Sequence, residues 1–222
     1  MIKKDYIVCN HSHMIKIIIA DDHAVVRKGL IQILLESFPN ANIVEVMDAE
    51  SLLKKIFNET WDLVISDISM PGISGLDILQ QIKQYYPKLP VLILSMYSED
   101  LYAIRVLKAG ASGFLNKDFV PEQLVSAVNR LLSGKKYITP NIAEKLAGTL
   151  ALENNKPPHE CLSNREFEVF KYIASGQTVS DIASRLSLSV TSISTYRARI
   201  IAKMNLKTNA DIMLYSIENK LT

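Results

Sequence analysis

The sequence predicts an α/β domain with a five-stranded parallel sheet, followed by a small all-α domain. In the first part, short β-rich apolar runs alternate five times with segments of helical periodicity, which is the pattern of successive βαβ units. In the last part, apolar residues recur only at helical spacing. A chain of 222 residues has room for two such domains.

The elements of the first domain are recognised by their periodicity and by the turns between them. Val25, Leu30 and Leu34 keep helical spacing, and breaks such as Pro71-Gly72 and Ser133-Gly134 carry turn residues. We expect strands near residues 16–20, 42–46, 63–67, 91–95 and 112–116. We expect helices near residues 24–37, 50–58, 74–86, 98–108 and 120–133.

The second domain is predicted to contain a helix-turn-helix. Thr178 is expected to cap a short helix, with Asp181 three positions later as a variant of the capping box. Ser187-Leu188 forms the turn, and Ser189 caps a longer basic helix, which together give a helix-turn-helix. The helices around this short one are expected at residues 164–175, 190–204 and 209–221.

Between the two domains the periodicity weakens. Residues 142–152 could form a helix, whereas residues 153–158 are polar, contain two prolines and are typical of an exposed linker. The first thirteen residues match no element, and we assign them no function. We divide the chain into an N-terminal tail (residues 1–13), an α/β domain (14–134), a linker (135–158) and a helical domain (159–222).

Composition excludes several classes of protein. No apolar run approaches the ~20 residues needed to cross a membrane, and the N-terminus lacks the apolar region of a signal peptide, so we expect a cytoplasmic protein. Cys9 and Cys161 have no spacing that suggests zinc, and a structural disulfide is not expected in that compartment. Residues 182–210 contain five basic residues and no acid, which indicates either a solvated helix face or a surface for nucleic-acid phosphates.

Polar residues follow four of the predicted strands at the point where each strand ends. Because the carboxyl ends of parallel strands share one edge of a sheet, these side chains should converge there. Each of them alone could be a helix cap or a surface residue, but their common position on successive strands indicates one site. Three carboxylates, a hydroxyl and a lysine suit a divalent cation and a phosphoryl group. The residues are Asp21, Asp22, Asp67, Ser95 and Lys117.

These residues lie in motifs that closely resemble the receiver domain of bacterial response regulators. The motifs are Ala20-Asp21-Asp22-His23, Ser66-Asp67-Ile68-Ser69-Met70-Pro71-Gly72, Leu94-Ser95-Met96 and Gly113-Phe114-Leu115-Asn116-Lys117-Asp118. The resemblance covers about residues 14–134 and implies a flavodoxin-like fold. It also implies a receiver that is no enzyme beyond catalysing its own phosphoryl transfer and dephosphorylation.

The resemblance assigns a role to each of the site residues. Asp67 would be the nucleophile that forms an acyl phosphate with a phosphoryl group from a sensor histidine kinase. Asp22, Asp67 and the backbone carbonyl of Ser69 would ligate Mg²⁺, and Asp21 would hold a water molecule of the metal. Lys117 and the Ser95 hydroxyl would contact the phosphoryl oxygens.

A conformational switch is implied by the same resemblance. Ser95 would move towards the phosphoryl group, and the ring of Phe114 would rotate inwards and change the surface around the fourth helix and fifth strand. Asp118 stands where many family members have a proline, often after a cis peptide bond. We therefore predict a trans Lys117–Asp118 peptide, because a cis bond without proline costs ~2.5–4 kcal/mol.

The helical domain, residues 162–222, resembles the DNA-binding domain of the LuxR/FixJ/NarL type. The matching segments include Leu162-Ser163-Asn164-Arg165-Glu166, Ile173-Ala174-Ser175-Gly176 and Lys203-Met204-Asn205-Leu206. The resemblance implies that the helix near residues 190–204 lies in the major groove of promoter DNA and that the last helix pairs with its twin in a dimer, which we expect on phosphorylation. The candidate DNA-binding residues are Thr191, Ser194, Thr195, Arg197, Arg199 and Lys203.

The sequence indicates a phosphorylation-dependent transcriptional regulator, and three other functions are alternatives to it. The first is a DNA-binding regulator whose receiver serves only for dimerisation. The second is a phosphatase of the haloacid dehalogenase type, which needs a second aspartate two positions after the nucleophile, where this chain has Ser69. The third is a protein-interaction adaptor, which would not need the acid-free basic helix.

Overall fold

The fold was analysed in a computed structural model, which describes residues 14–70, 73–96, 99–151, 157–219 and 221. The first domain contains one parallel sheet of five strands in the order β2-β1-β3-β4-β5. The strands are β1 (Lys16–Ala20), β2 (Asn42–Val46), β3 (Leu63–Asp67), β4 (Val91–Ser95) and β5 (Gly113–Asn116). The helices between and after them are α1 (Ala24–Ser37), α2 (Ala49–Asn58), α3 (Gly75–Tyr85), α4 (Glu99–Lys108) and α5 (Val120–Leu132).

The sheet is covered on both faces, which explains its continuous apolar runs. All five residues of β3 and of β4 are buried, as expected for central strands of a parallel sheet between helices. On one face, α1 and α5 cover the sheet around Leu30 and Leu124. On the other, α2 and α3 contribute residues such as Leu52 and Leu79. The order of the strands places β1, β3 and β4 side by side, so that their carboxyl ends meet.

The segment predicted as a linker is partly folded onto the first domain. Tyr137 forms a parallel bridge with Gly113, the first residue of β5, and its amide donates to Ser112 O at 2.9 Å. A Cβ at Gly113 would lie 3.1 Å from Cβ of Tyr137, so this close approach favours glycine. Helix α6 (Pro140–Ala151) follows and packs against α4.

The second domain is helical, as predicted. Its helices are α7 (Asn164–Ala174), α8 (Val179–Leu186), α9 (Val190–Met204) and α10 (Asn209–Glu218). The capping box of Thr178 and Asp181 is present, and Ser187 ends α8 with a left-handed φ of 54°. Ser189 accepts a hydrogen bond from Ser192 N and caps α9.

The end of the chain differs from the prediction. The last helix was expected to reach residue 221 but ends at Glu218, and Asn219 lies at its C-cap. The Leu221 amide bonds back to Ser216 O at 2.8 Å, and the Leu221 side chain is buried. Leu221 keeps the helical spacing of apolar residues, but its side chain reaches the core after the helix has ended. The predicted break at Pro71-Gly72 lies outside the described residues.

Candidate functional site

The carboxylates predicted to converge at the sheet edge do so. Asp21 follows β1 and is fully buried, Asp22 beside it is exposed, and Asp67 closes β3 in a buried position. One ligand atom from each of these carboxylates and from His23 lies within 4.8 Å of the others. The fold therefore brings together three aspartates at the ends of β1 and β3, although these strand ends are 47 residues apart in the sequence.

Lys117 bridges the two buried carboxylates. Its Nζ lies 2.7 Å from Asp21 Oδ2 and 2.7 Å from Asp67 Oδ2. Burial alone would lower the pKa of Lys117, but attraction to Asp67 and hydrogen bonds to both carboxylates outweigh it and raise the pKa. Burial also raises the pKa of the Asp67 carboxyl, and Lys117 offsets part of that rise. The lysine is thus held protonated at the centre of the acidic cluster.

The hydroxyl and aromatic residues of the predicted switch lie on β4 and β5. Ser95 is fully buried at the end of β4, where it pairs with Asn116 of β5 in the strand register. Phe114 is fully buried on β5, so in this structure its ring occupies the inward position. The neighbouring Met96 is exposed.

The loops after β3 and β5 are tied back to the site. The Ser69 amide donates to Asp67 Oδ1 at 3.2 Å, which holds the loop that carries the Ser69 carbonyl. After β5, the Asp118 amide donates to Asn116 Oδ1 at 2.8 Å. The Lys117–Asp118 peptide is trans, as predicted. The side-chain oxygen of Asn116 thus shapes the turn in which Asp118 stands.

Sequence reasoning did not single out His23 and Arg27 at this site. His23 Nδ1 lies 2.8 Å from Asp22 Oδ1, and the His23 amide donates to Asp21 Oδ1 at 2.8 Å. Arg27 donates from Nη1 to the backbone carbonyl of Asp21 at 2.8 Å. Their positions were the only signal in the sequence: His23 directly follows Asp22, and Arg27 lies one helical turn after His23.

The candidate DNA-binding residues lie on α9, with one side of the helix in the core. Ile193, Ile200 and Met204 are buried. Thr191, Ser194, Thr195, Arg199 and Lys203 are exposed, and Arg197 is partly buried.

Two of these candidates have partners within the second domain. Arg197 Nε donates to Asn209 Oδ1 at 2.5 Å, which links α9 to α10. Lys203 Nζ lies 2.6 Å from the buried carboxylate of Glu166, the capping-box residue of α7. Both residues therefore also support the fold of the domain, which leaves Arg199 as the exposed arginine of α9.

We predict that Lys203→Gln lowers the free energy of unfolding by about 1–2 kcal/mol at pH 7, because it removes a charged partner from a buried carboxylate. Burial raises the pKa of Glu166, but bonds from Lys203 and Ser163 outweigh this and lower it. A lowered pKa stabilises the fold above the unfolded-state value, and that stabilisation is lost as the pH falls through the folded-state value. The difference between variant and wild type should therefore shrink in acid.

Urea unfolding at pH 7 and in acid measures this difference. Lys207→Gln is the control, since Lys207 is exposed and its side chain lies beyond α9. Equal stability of the Lys203→Gln variant and wild type at pH 7 would show that Lys203 is free to serve DNA alone.

The two domains contact each other through α4 of the first and the start of the second. Arg105 Nη1 donates to Leu162 O at 3.0 Å, and Nη2 donates to His159 O. The Arg105 guanidinium also lies 4.0 Å from the centre of the Phe167 ring. Lys108 and Glu160 add a looser ion pair at 3.9 Å. We call this set of contacts around Arg105 the domain interface.

The domain interface continues to α3 and to α9. Asn164 Nδ2 donates to Asp77 Oδ1 at 3.3 Å. A depression beside this bond is lined by Asp77 and Gln80 of α3 and by Tyr196 and Arg199 of α9. The exposed arginine of α9 thus lies next to the first domain.

Comparisons with known proteins agree with this architecture. The family described as "Response regulator receiver domain" matches residues 17–129, and "Bacterial regulatory proteins, luxR family" matches residues 160–216. Among the described residues, no helix combines the length and apolar character needed to span a membrane.

Curated relatives match over nearly the whole chain. Response regulator UvrY of Escherichia coli K12 is 32% identical over 210 residues, which cover 94% of this chain and 96% of that protein. Oxygen regulatory protein NreC of Staphylococcus epidermidis is 34% identical over 214 residues, with coverages of 93% and 98%.

Solved structures match over most of the chain, across both domains. The response regulator RcsB of Salmonella typhimurium matches with a TM-score of 0.65 at 27% identity, over 91% of this chain and 96% of that one. RcsB bound to promoter rprA in the presence of phosphomimetic BeF3⁻ matches with a TM-score of 0.60 at 26% identity, over 90% and 98%. The chain belongs to the NarL/FixJ family of two-component response regulators, in which a receiver domain is joined to a LuxR-type helix-turn-helix.

Proposed function

We propose that Asp67 accepts a phosphoryl group from a sensor histidine kinase and that this controls the binding of α9 to promoter DNA. The observation that carries the proposal is the position of Asp67, buried at the end of β3 with Lys117 at 2.7 Å and Asp21 on the other side of that lysine. Transfer of one phosphoryl group to wild type, and none to Asp67→Asn, tests the receiver half.

The Asp67 carboxylate is the nucleophile in this proposal. One of its oxygens forms a bond to phosphorus while the bond from phosphorus to the histidine nitrogen of the kinase breaks, and the imidazole takes up a proton. Lys117 Nζ contacts Asp67 Oδ2 and is close enough to contact a phosphoryl oxygen in its place once Asp67 is modified. The Ser95 hydroxyl, at the end of the neighbouring strand, donates to a second phosphoryl oxygen. Water attack on the acyl phosphate reverses the modification, which makes dephosphorylation the receiver's own reaction.

The residues at this edge fit Mg²⁺ as the metal of the reaction. Asp22 and Asp67 offer carboxylate oxygens within 4.8 Å of each other, and Ser69 is held beside them by its amide bond to Asp67. Asp22, Asp67 and the Ser69 carbonyl would bind the ion, with Asp21 binding one of its waters. Hard oxygen donors of this kind suit Mg²⁺, which would neutralise charge on the phosphoryl oxygens.

The domain interface suggests how the unphosphorylated protein is restrained. Arg199 and Tyr196 of α9 share a depression with α3, so a DNA duplex and the receiver compete for this side of α9. Phosphorylation would reposition Ser95 beside the buried Phe114 ring, loosen α4 from the second domain and allow a homodimer to form on paired DNA half-sites. Both phosphoryl transfer from the kinase and binding to the promoter take place in the cytoplasm in this proposal.

The receiver in this proposal spans residues 14–134, and the DNA-binding domain spans residues 159–222.

We predict that Arg199→Ala weakens binding to DNA, because Arg199 is exposed on α9, whereas Arg197 and Lys203 are held by Asn209 and Glu166. If it contacts phosphate, affinity should fall on every duplex, and the slope of log K against log salt should flatten by roughly 0.9. If it reads a base, the loss should be about 1–3 kcal/mol at one sequence position.

Salt titrations by fluorescence anisotropy, with random duplex and with DNA from upstream of the protein's own gene, separate these two roles. Lys88→Ala is the control, since it removes the same charge from an exposed site on the receiver. A phosphorylated Arg199→Ala variant that binds both duplexes like wild type would place the DNA-binding surface elsewhere.

A further inference from the structure

Arg27, on the first turns of α1, contacts the acidic turn and the neighbouring strand at once. Its Nη1 donates to the backbone carbonyl of Asp21 at 2.8 Å, and its Nε donates to Glu45 Oε2 of β2 at 2.8 Å. The Arg27 side chain is only 14% exposed, whereas that of Glu45 is 46% exposed. A largely buried guanidinium therefore points at the backbone of the site rather than into solvent.

The carbonyl that Arg27 holds belongs to the peptide bond between Asp21 and Asp22. The other polar groups of Asp21 are fixed as well: its amide donates to Val46 O at 3.3 Å, and its two carboxylate oxygens meet the His23 amide and Lys117. Asp21 is thus locked in the core. The orientation of the exposed Asp22 relative to Asp21 therefore depends on the plane of the peptide bond between them.

We propose that Arg27, oriented by Glu45, is a positioning residue that fixes the Asp21–Asp22 peptide and thereby sets the affinity of the acidic turn for a divalent cation. The inference rests on the proposed function of Asp22 and Asp67 as metal ligands. An arginine suits this task because its rigid fork can donate in two directions at once. A lysine carries the same charge on a single nitrogen and cannot reproduce both bonds with the same geometry.

Three substitutions separate the effect of charge from the effect of geometry. Arg27→Lys keeps the positive charge near the carboxylates but loses the fork, and Arg27→Gln loses both. Glu45→Gln keeps an oxygen acceptor but removes the charge that orients Arg27. If Arg27 acts only by its charge, Arg27→Lys should bind metal as wild type does.

The experiment measures Mn²⁺ binding to the full-length, unphosphorylated protein from the electron paramagnetic resonance signal of free Mn²⁺. We expect the Kd to rise about fivefold in Arg27→Lys, which corresponds to about 1 kcal/mol, and to rise less in Arg27→Gln, because the loss of a positive charge near the carboxylates favours the cation. Glu45→Gln should show a smaller rise in the same direction. Lys28→Gln, which removes an exposed charge from the next position of α1, should stay within about twofold of wild type.

A second measurement separates positioning from general destabilisation. The Mg²⁺ concentration that gives half-maximal phosphorylation from acetyl phosphate should rise in Arg27→Lys, while the rate at saturating Mg²⁺ stays close to that of wild type. Wild-type Mn²⁺ affinity in Arg27→Lys would overturn the inference and leave the metal site intact. A wild type that binds no Mn²⁺ would overturn the metal site itself, and the role of Arg27 with it.

Discussion

Asp67→Asn is expected to abolish phosphoryl incorporation from Mg²⁺ and acetyl phosphate, whereas wild type gains one phosphoryl group. The amide has no anionic oxygen to attack phosphorus, and Asp67 is the carboxylate that closes β3 opposite Asp21 and Asp22. Intact-mass spectrometry reads the result directly. A kinase donor should be used alongside, because Met96 next to Ser95 is bulky and exposed and could restrict access of small donors.

The control is Asp118→Asn, which removes an exposed carboxylate one residue after Lys117. It should be phosphorylated as wild type is, since Asp118 contributes its backbone amide to the turn after β5. Equal labelling of Asp67→Asn and wild type would end the assignment of the phosphoacceptor. Promoter binding by Asp67→Asn at the level of phosphorylated wild type would favour a regulator that works without phosphorylation.

Strand positions could be predicted closely because burial on both faces leaves a simple signal. The strands β1, β2, β3 and β4 begin and end at the predicted residues, and Asp67 and Ser95 mark two of these ends. The convergence of the acidic residues followed from the same rule, since strand order alone brings their carboxyl ends together. The family relationship, predicted from these motifs and from the helix-turn-helix, is confirmed by the comparisons.

Side-chain partners far apart in sequence could not be predicted in this way. Lys203 was predicted to contact DNA because it lies in a basic helix. In the structure it also pairs with Glu166, 37 residues earlier. The contacts of Arg105 with the second domain span 54 and 57 residues. Local periodicity determines which face of a helix is buried, but it does not specify which charged group of another element lies opposite.

Arg105→Ala is expected to raise the affinity of the unphosphorylated protein for random duplex DNA by roughly tenfold. The guanidinium donates two hydrogen bonds to carbonyls of the second domain and stacks on Phe167. Charge-assisted bonds contribute ~1.5–3 kcal/mol each and a cation–π contact about 0.5–1 kcal/mol, before a discount for solvent that enters the opened interface. Two forms are in equilibrium: a closed form, in which the domain interface is made, and an open form, in which it is broken. Half of the upper value for one such bond, about 1.5 kcal/mol, changes this equilibrium by a factor of about ten.

In the proposed function, α9 reaches DNA only in the open form, in which the domain interface is broken, and the affinity therefore follows the fraction of open molecules. The apparent Kd for DNA equals the intrinsic Kd divided by the fraction of open molecules. A variant with a larger open fraction therefore has a lower apparent Kd, until nearly all molecules are open. Phosphorylation should then add less affinity to Arg105→Ala than to wild type, since both act on the same equilibrium. Small-angle scattering should show a larger radius of gyration for the unphosphorylated variant.

Lys108→Ala is the matched control on the same helix. Its ion pair with Glu160 is long, at 3.9 Å, and the Lys108 side chain is 52% exposed, so its loss should change DNA affinity less than about threefold. If Arg105→Ala opens the molecule by scattering but binds DNA no more tightly, the domain interface does not restrain α9. If it neither opens nor binds more tightly, Arg105 does not hold the two domains together, and the bond between Asn164 and Asp77, beside the depression lined by Arg199, is the next contact to remove.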